Sequence, residues 1–235
     1  MTDTTEDEPS LDAEAALDAR AAADPRRVVG VGPHGEPWPD DPRLDPELLR
    51  EGDRRNVVDA YRYWTVEAIR ADLDTRRHPF HVAVENWVHD LNIGTVVRNA
   101  NAFLAAEVHV VGNRRWNRRG AMVTDRYLTV RHQEDAAALG AWADERGLPV
   151  VGIDLLPGSR PITSEPMPRS CVLLFGQEGP GLSPAAHGVC SAVLHIPQHG
   201  STRSINAGVA SGIAMYEWVR RYAGPGSELG RSDGV

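Results

Sequence analysis

From residue 79 onward the apolar positions switch repeatedly between a period of two and a helical period. Phe80, Val82 and Val84 alternate as a half-buried strand. Ile93, Val96, Val97, Ala100, Phe103 and Leu104 recur at helical spacing from Asn92. VHVV (108–111) predicts a second strand, followed by an arginine-rich loop and a short YLTV segment. Residues 134–146 predict a helix closing at Gly147, and 149–153 a third strand. SCVLLF (170–175) is apolar enough to be buried on both faces. Ser183-Pro184 reads as an N-cap with a first-turn proline. Residues 192–196 predict a fifth strand and 204–220 the last helix. Strands alternating with helices imply an α/β fold with a mainly parallel sheet flanked by helices.

Upstream the pattern differs. Val57, Tyr61, Trp64 and Ala68 fall at i, i+4, i+7 and i+11, so a helical extension is expected over 54–78. Arg54, Arg55, Arg62 and Arg70 lie mostly off that face. They read either as a solvated side or as an RNA-facing one. Residues 29–47 are punctuated by proline and glycine and have no apolar period. Residues 1–53 are therefore expected to be a disordered or loosely draped arm, with a transient helix at most over 11–23. The Gly/Ser-rich residues 223–235 are expected to form a loose tail.

Apolar residues make up 41% of the 235, enough for a core, but no run approaches the ~18 needed to span a membrane. The acidic start MTDTTEDEPS lacks a secretory h-region, so a cytoplasmic location is expected. The two cysteines cannot build a disulfide scaffold, and no Cys/His spacing suggests structural zinc. A net charge of −8 argues against a polyanionic partner until it is divided along the chain. Residues 1–53 hold 15 acidic and 5 basic groups, residues 54–131 hold 8 and 13, and the remainder 10 and 7. The positive excess is thus concentrated in 54–131, and every basic group is arginine.

Three segments carry candidate chemistry. NIGTVVRNANAF (Asn92 to Phe103) sets Arg98 beside Asn99 and Asn101 on a helix with an apolar opposite face. Asn92 and Arg98 are six residues apart. That is about 600° of helix rotation, so they converge only if Asn92 stands in the loop before the helix. FGQEGPGLS (Phe175 to Ser183) follows a buried strand, where open α/β sheets bind ligands. Its glycines suit a tight turn, but such a turn does not need Glu178. In IPQHGSTRSINAGVA, Ser204 and Asn206 sit where a helix opens and backbone donors are free.

Taken together and in this order, NIGTVVRNANAF, LLFGQEGPGLS and IPQHGSTRSINAGVA resemble the three signature motifs of the SpoU/TrmH family of RNA 2′-O-ribose methyltransferases, in the SPOUT superfamily. The resemblance covers about residues 79–222. It implies a carboxyl-terminal trefoil knot, a homodimer, and S-adenosylmethionine held by the knot loops. By position the cofactor is expected among Ile153, Asp154, Gly176, Ile196, Ser204 and Ile205. The resemblance assigns Arg98 to the ribose hydroxyl or adjacent phosphate. It gives Asn92, Glu178, Ser204 and Asn206 supporting roles in the site.

Methylating a 2′-hydroxyl requires a weak nucleophile to lose its proton as it attacks, and needs no metal. An arginine side chain stays protonated and is a poor base, so Arg98 is expected to bind and polarise. Outside the motifs, GNRRWNRRG offers Arg114, Arg115, Arg118 and Arg119 for phosphates and Trp116 for base stacking. The bland alternative is an exposed loop with Trp116 folded onto the domain. The expected partner is structured RNA, tRNA before ribosomal RNA. A knotted RNA-binding protein without catalysis is the competing reading.

Overall fold

The computed structural model describes residues 30–87, 92–164 and 166–223. The transient helix considered over 11–23 and the tail from 224 onward lie outside the described residues. So does the first part of the acidic arm. The chain divides at Thr65/Val66 into two compact units.

In the smaller unit, residues 30–53 are not a loose arm. They contain helix α1 (Pro46–Glu51), whose first turn is capped by the Asp45 carboxylate accepting from the backbone N–H of Glu47 and Leu48. Val31 and Asp53 exchange backbone hydrogen bonds of 2.9 Å each way. Gly30 and Gly52 flank that bridge with φ of +101° and +92°, where a Cβ would collide with backbone.

The fully buried Asp53 carboxylate organises the unit. It accepts from Arg55 N, Nε and Nη2 and from the Tyr63 backbone N–H. Burial alone would raise its pKa; the Arg55 bonds, the Tyr63 N–H and the Arg55 charge hold it below the usual carboxylate value. The expected continuous helix through Tyr61, Trp64 and Ala68 does not form. A single 3-10 turn (Asp59–Tyr61) ends at Arg62, and Tyr63 adopts a left-handed φ of 62°. Trp64 stands opposite Leu44 in an isolated antiparallel bridge, held by Asp45 N donating to Tyr63 O at 2.8 Å and Thr65 N to Arg43 O at 2.7 Å, and Arg43 lies 4.2 Å from the Trp64 ring centroid. Arg55 and Arg62 point their guanidinium groups at local carbonyls, Trp64 O and Arg55 O. The basic residues of 54–62 are thus largely occupied in holding this unit together.

The larger unit runs α2 (Val66–Asp74), β1 (Phe80–Asn86), α3 (Asn92–Ala102), β2 (Val108–Gly112), β3 (Val130–Gln133), α4 (Ala136–Asp144), β4 (Val150–Ile153), β5 (Arg160–Pro161), β6 (Cys171–Phe175), α5 (Pro184–Gly188), β7 (Ala192–His195) and α6 (Ala207–Tyr222). All paired strands are parallel, in the order β3-β2-β1-β6-β4-β7-β5. Alternation sorts the side chains. Phe80, Val82, Val84, Leu173 and Phe175 meet α3 and α6 on one face. Ala83, Val172 and Leu174 meet α4 and α5 on the other. The central strand β6 is buried throughout.

Two strands depart from the sequence pattern. Of YLTV only Val130 is in a strand, Tyr127 and Leu128 being buried in the bend before it, and β3 is the polar VRHQ that starts there. An edge strand has one neighbour and tolerates charge, so its pattern is weak. β5 is only two residues long and carries no alternation. Among the described residues, no helix is long and apolar enough to cross a membrane.

Candidate active site

The site is built where β4, β6 and β7 end. After β6 the chain closes on itself. Gln177 and Gly181 exchange backbone hydrogen bonds of 3.0 and 3.1 Å, leaving Glu178, Gly179 and Pro180 at the tip. A Cβ on Gly176 would lie 2.1 Å from the Gly181 carbonyl carbon, so glycine is obligatory there. Asp154, just beyond β4, braces the loop from below. Its carboxylate accepts from Leu155 N at 2.7 Å and Leu182 N at 2.8 Å. The buried Glu85 at the carboxyl end of β1 accepts from Ser183 N at 2.8 Å and from the Trp87 indole N–H at 3.0 Å. Ser183 in turn caps α5 through Ala186 N.

The loop after β7 leads to α6, which begins at Ala207 with Asn206 as its N-cap rather than near Ser204. Gly208 and Gly212 let α6 lie close on α3. A Cβ on Gly208 would meet Thr95 Cγ2 at 2.7 Å, and the Asn99 amide donates to Gly208 O and Ser211 Oγ. The small residues of this helix therefore serve contact within the chain.

Three polar residues from three motifs meet in a line. Asn206 Nδ2 donates to Asn92 Oδ1 at 2.8 Å, and Asn92 Nδ2 donates to Glu178 Oε2 at 2.7 Å. Asn206 Oδ1 accepts from Val209 N at 3.2 Å. A carboxylate only accepts and a backbone N–H only donates, so both amides have a fixed orientation. Asn92 is the first residue of α3 rather than part of the preceding loop, so it and Arg98 lie on different faces. Arg98 is exposed, about 9 Å further along the helix axis by its six-residue spacing. Among the described residues it makes no ion pair or hydrogen bond to this trio. Ser204 is exposed and lies beside the cleft described next.

A cleft of about 480 Å³ opens between these loops. Ile153, Asp154, Gly176, Ile196, Ser204 and Ile205 all line it, as do Glu178 and Asn206. Its volume suits a small-molecule cofactor. Gln177 Oε1 and Gln198 Oε1 are buried without a partner among the described residues, and both residues line the cleft. Two acceptors held in that way fit a ligand with amino groups. Sequence reasoning passed over both glutamines, as it did Glu85 and Asn86, because only folding reveals an unpaired or bracing polar atom.

The arginine loop is anchored at both ends. Asn86 Nδ2 donates to the carbonyls of Asn113 at 2.6 Å and Arg115 at 2.8 Å. At its far end the backbone of Gly120 and Ala121 sits against Gly94 of α3, where a Cβ would come within 2.7 Å of Ala121 N. Arg114, Arg115, Arg118 and Arg119 are exposed. Trp116 is half-buried against the core, with the Arg118 guanidinium 5.5 Å from its ring centroid. Here part of the indole seats the loop on the domain, and part of it lines an open cleft beside Arg114 and Arg118. Arg118 also pairs with Asp125 at 3.4 Å.

Fold and site together define a parallel α/β protein with a cofactor-sized cleft formed by glycine-rich loops at the carboxyl ends of its strands. Residues 79–216 match the SpoU rRNA methylase family, and the chain belongs to that family. An uncharacterized tRNA/rRNA methyltransferase of Mycobacterium ulcerans is 34% identical over 155 residues, covering 60% of this chain and 46% of that protein. The chain thus spans about half the length of the curated relatives it matches.

Among solved structures, the SpoU methyltransferase AviRb from Streptomyces viridochromogenes in complex with AdoMet has a TM-score of 0.57 and 26% identity, over 64% of this chain and 63% of that one. Another, described as giving structural insights into the 2-OH methylation of C/U34 on tRNA, has a TM-score of 0.54 and 26% identity, over 61% of this chain and 96% of that one.

Proposed function

We propose that this chain transfers a methyl group from S-adenosylmethionine to a ribose 2′-hydroxyl of structured RNA, with tRNA the favoured substrate. The observation that carries the reading is the convergence of three motif loops on one cleft, with the Asn206–Asn92–Glu178 line at its edge. When bound, S-adenosylmethionine supplies an electrophilic methyl group. The protein's own residues do the rest. Gln177 and Gln198 offer acceptors to the cofactor's amino groups, and Ile153, Ile196 and Ile205 exclude water around its apolar parts. Asp154 and Gly176 hold the loop backbone in the shape that receives it. The Asn92 amide fixes the Glu178 tip against α3, and Ser204 faces the cofactor from the loop before α6. Arg98, exposed on α3, binds the phosphate beside the target ribose and lowers the cost of deprotonating its hydroxyl. Replacement by lysine should therefore slow transfer and alter the pH–rate profile. Arg114, Arg115 and Arg119 extend the phosphate-binding surface.

The same reading includes a homodimer and a trefoil knot. Support for the dimer is the exposed apolar stripe Val209, Ile213 and Tyr216 on α6. Support for the knot is the chain path. β7 lies on the far side of β4 from β6, yet α6 packs on α3, and residues 176–181 and 203–207 line one cleft.

The test is to incubate the full chain with methyl-labelled S-adenosylmethionine and total RNA, then hydrolyse in alkali. A 2′-O-methyl group blocks cleavage, so label is expected in alkali-resistant dinucleotides of the tRNA fraction. Resistant label confined to ribosomal RNA would give the alternative substrate. Label released in mononucleotides would overturn ribose transfer, and cofactor binding without label would identify a binding protein.

A further inference from the structure

At the other end of the sheet, away from the cleft, β1 and β2 carry a cluster that the methyl-transfer reading does not use. Ala83 pairs with His109, so His81, two residues earlier, lies on the same face as His109. Glu107 stands immediately before β2. Its Oε2 is 3.9 Å from His81 Nδ1 and 3.8 Å from His109 Nε2. One ligand atom from each of the three residues lies within 4.8 Å of the others. Both of those imidazole nitrogens are buried and lack a hydrogen-bond partner among the described residues, and the His109 side chain is 0% exposed. Two orphaned nitrogens turned toward one carboxylate are not accounted for by core packing, because buried polar atoms are nearly always paired.

We propose that His81 Nδ1, His109 Nε2 and Glu107 Oε2 form a binding site for a divalent transition metal, zinc in the first instance. Two imidazoles and a carboxylate are a known zinc set, with a water completing the tetrahedron. Bond lengths of about 2.0–2.1 Å require ligand atoms about 3.3 Å apart, so side-chain shifts of about half an ångström close the site.

The surrounding residues supply a second layer. Arg131 donates to Glu107 Oε1 and Oε2 at 2.7 and 2.6 Å, and a carboxylate has further lone pairs for a metal. Gln133 Nε2 stands 3.0 Å from His109 Nδ1. Metal binding at Nε2 requires this amide to turn over, so that Oε1 accepts Nδ1–H and the Nε2 lone pair faces Glu107. Trp142 of α4 lies over both rings, at centroid distances of 4.1 Å from His109 and 5.0 Å from His81, and shields the site. The metal would tie β1 to β2. His81 and His109 are 28 positions apart, so no short ligand spacing announces the set. The proposal is independent of the methyl-transfer reading.

The test uses the full chain, stripped with EDTA and dialysed. Zinc titration by calorimetry should show a site of one equivalent per chain that raises the thermal midpoint. Cobalt should give the visible bands of four-coordinate geometry. His81→Asn and Glu107→Gln should each weaken zinc binding at least tenfold while leaving circular dichroism and the metal-free thermal midpoint near those of the parent. His109→Asn is a third variant, but its burial risks the fold, so the other two decide. Absence of a one-equivalent site in the parent, or zinc affinity unchanged in both His81→Asn and Glu107→Gln, would overturn the assignment.

Discussion

Asn206→Asp separates two jobs that one side chain performs. As N-cap, Asn206 Oδ1 accepts from Val209 N, and an aspartate does this equally well with a favourable charge at the helix N-terminus. Its Nδ2, however, donates to Asn92 Oδ1, and aspartate has no such donor. In the variant, Asn92 must either face an oxygen with its own Oδ1 or turn over and face Glu178 with it. Either way one junction sets two acceptors against each other. The affected bonds, of 2.8 and 2.7 Å, include one to a carboxylate, and hydrogen bonds to charged groups contribute about 1.5–3 kcal/mol. A loss of about 2 kcal/mol in holding the Glu178 tip corresponds to a fall of ~30-fold in kcat/KM for methyl transfer. Asn206→Ala, by contrast, also removes the cap and should lower stability by about 1 kcal/mol. The assay is single-turnover methyl transfer together with thermal unfolding of both variants. Wild-type kcat/KM in Asn206→Asp, with its thermal midpoint retained, would refute the argument that the line of amides organises the site.

Gly176→Ala should abolish cofactor binding by calorimetry, because a Cβ there lies 2.1 Å from the crossing backbone and the 176–181 loop must open. Arg114→Ala/Arg115→Ala should weaken RNA binding and reduce the slope of log affinity against log salt by up to about 2; an unchanged slope removes the loop from the RNA surface. For Asp53, the folded pKa is depressed, with burial opposing and Arg55 and the Tyr63 N–H lowering it. Its contribution to stability is therefore full above the unfolded pKa of about 3.9 and lost as pH falls through the lower folded value. Asp53→Asn should make the 30–65 unit less stable at pH 7 and flatten its acid dependence, followed by hydrogen exchange of Val31 and Tyr63 amides.

The larger unit was readable because its elements obey simple periods. Parallel strands buried on both faces, such as β6, produce apolar runs, and α3 and α4 show helical recurrence against them. The smaller unit was not readable. Its helix α1 has six residues, and its order depends on Asp53, a single buried carboxylate among many acidic residues. Composition made residues 30–53 look loose, since a bridge between Val31 and Asp53 leaves no periodic trace. The aromatic spacing of Tyr61 and Trp64 imitated a helix, while a left-handed Tyr63 turned the chain between them.

The sequence by itself determined the class of the sheet, the location of the glycine-rich loops and the identity of the polar residues that furnish the candidate site. These follow from local period, turn chemistry and motif. Tertiary structure alone decided which of those residues meet. It joined Asn92, Glu178 and Asn206 across 114 positions, left Arg98 exposed on its helix, and packed part of Trp116 against the core. It also set His81, Glu107 and His109 side by side. Strand pairing and loop crossing bring together atoms that have no fixed separation along the chain, so no spacing rule can contain them.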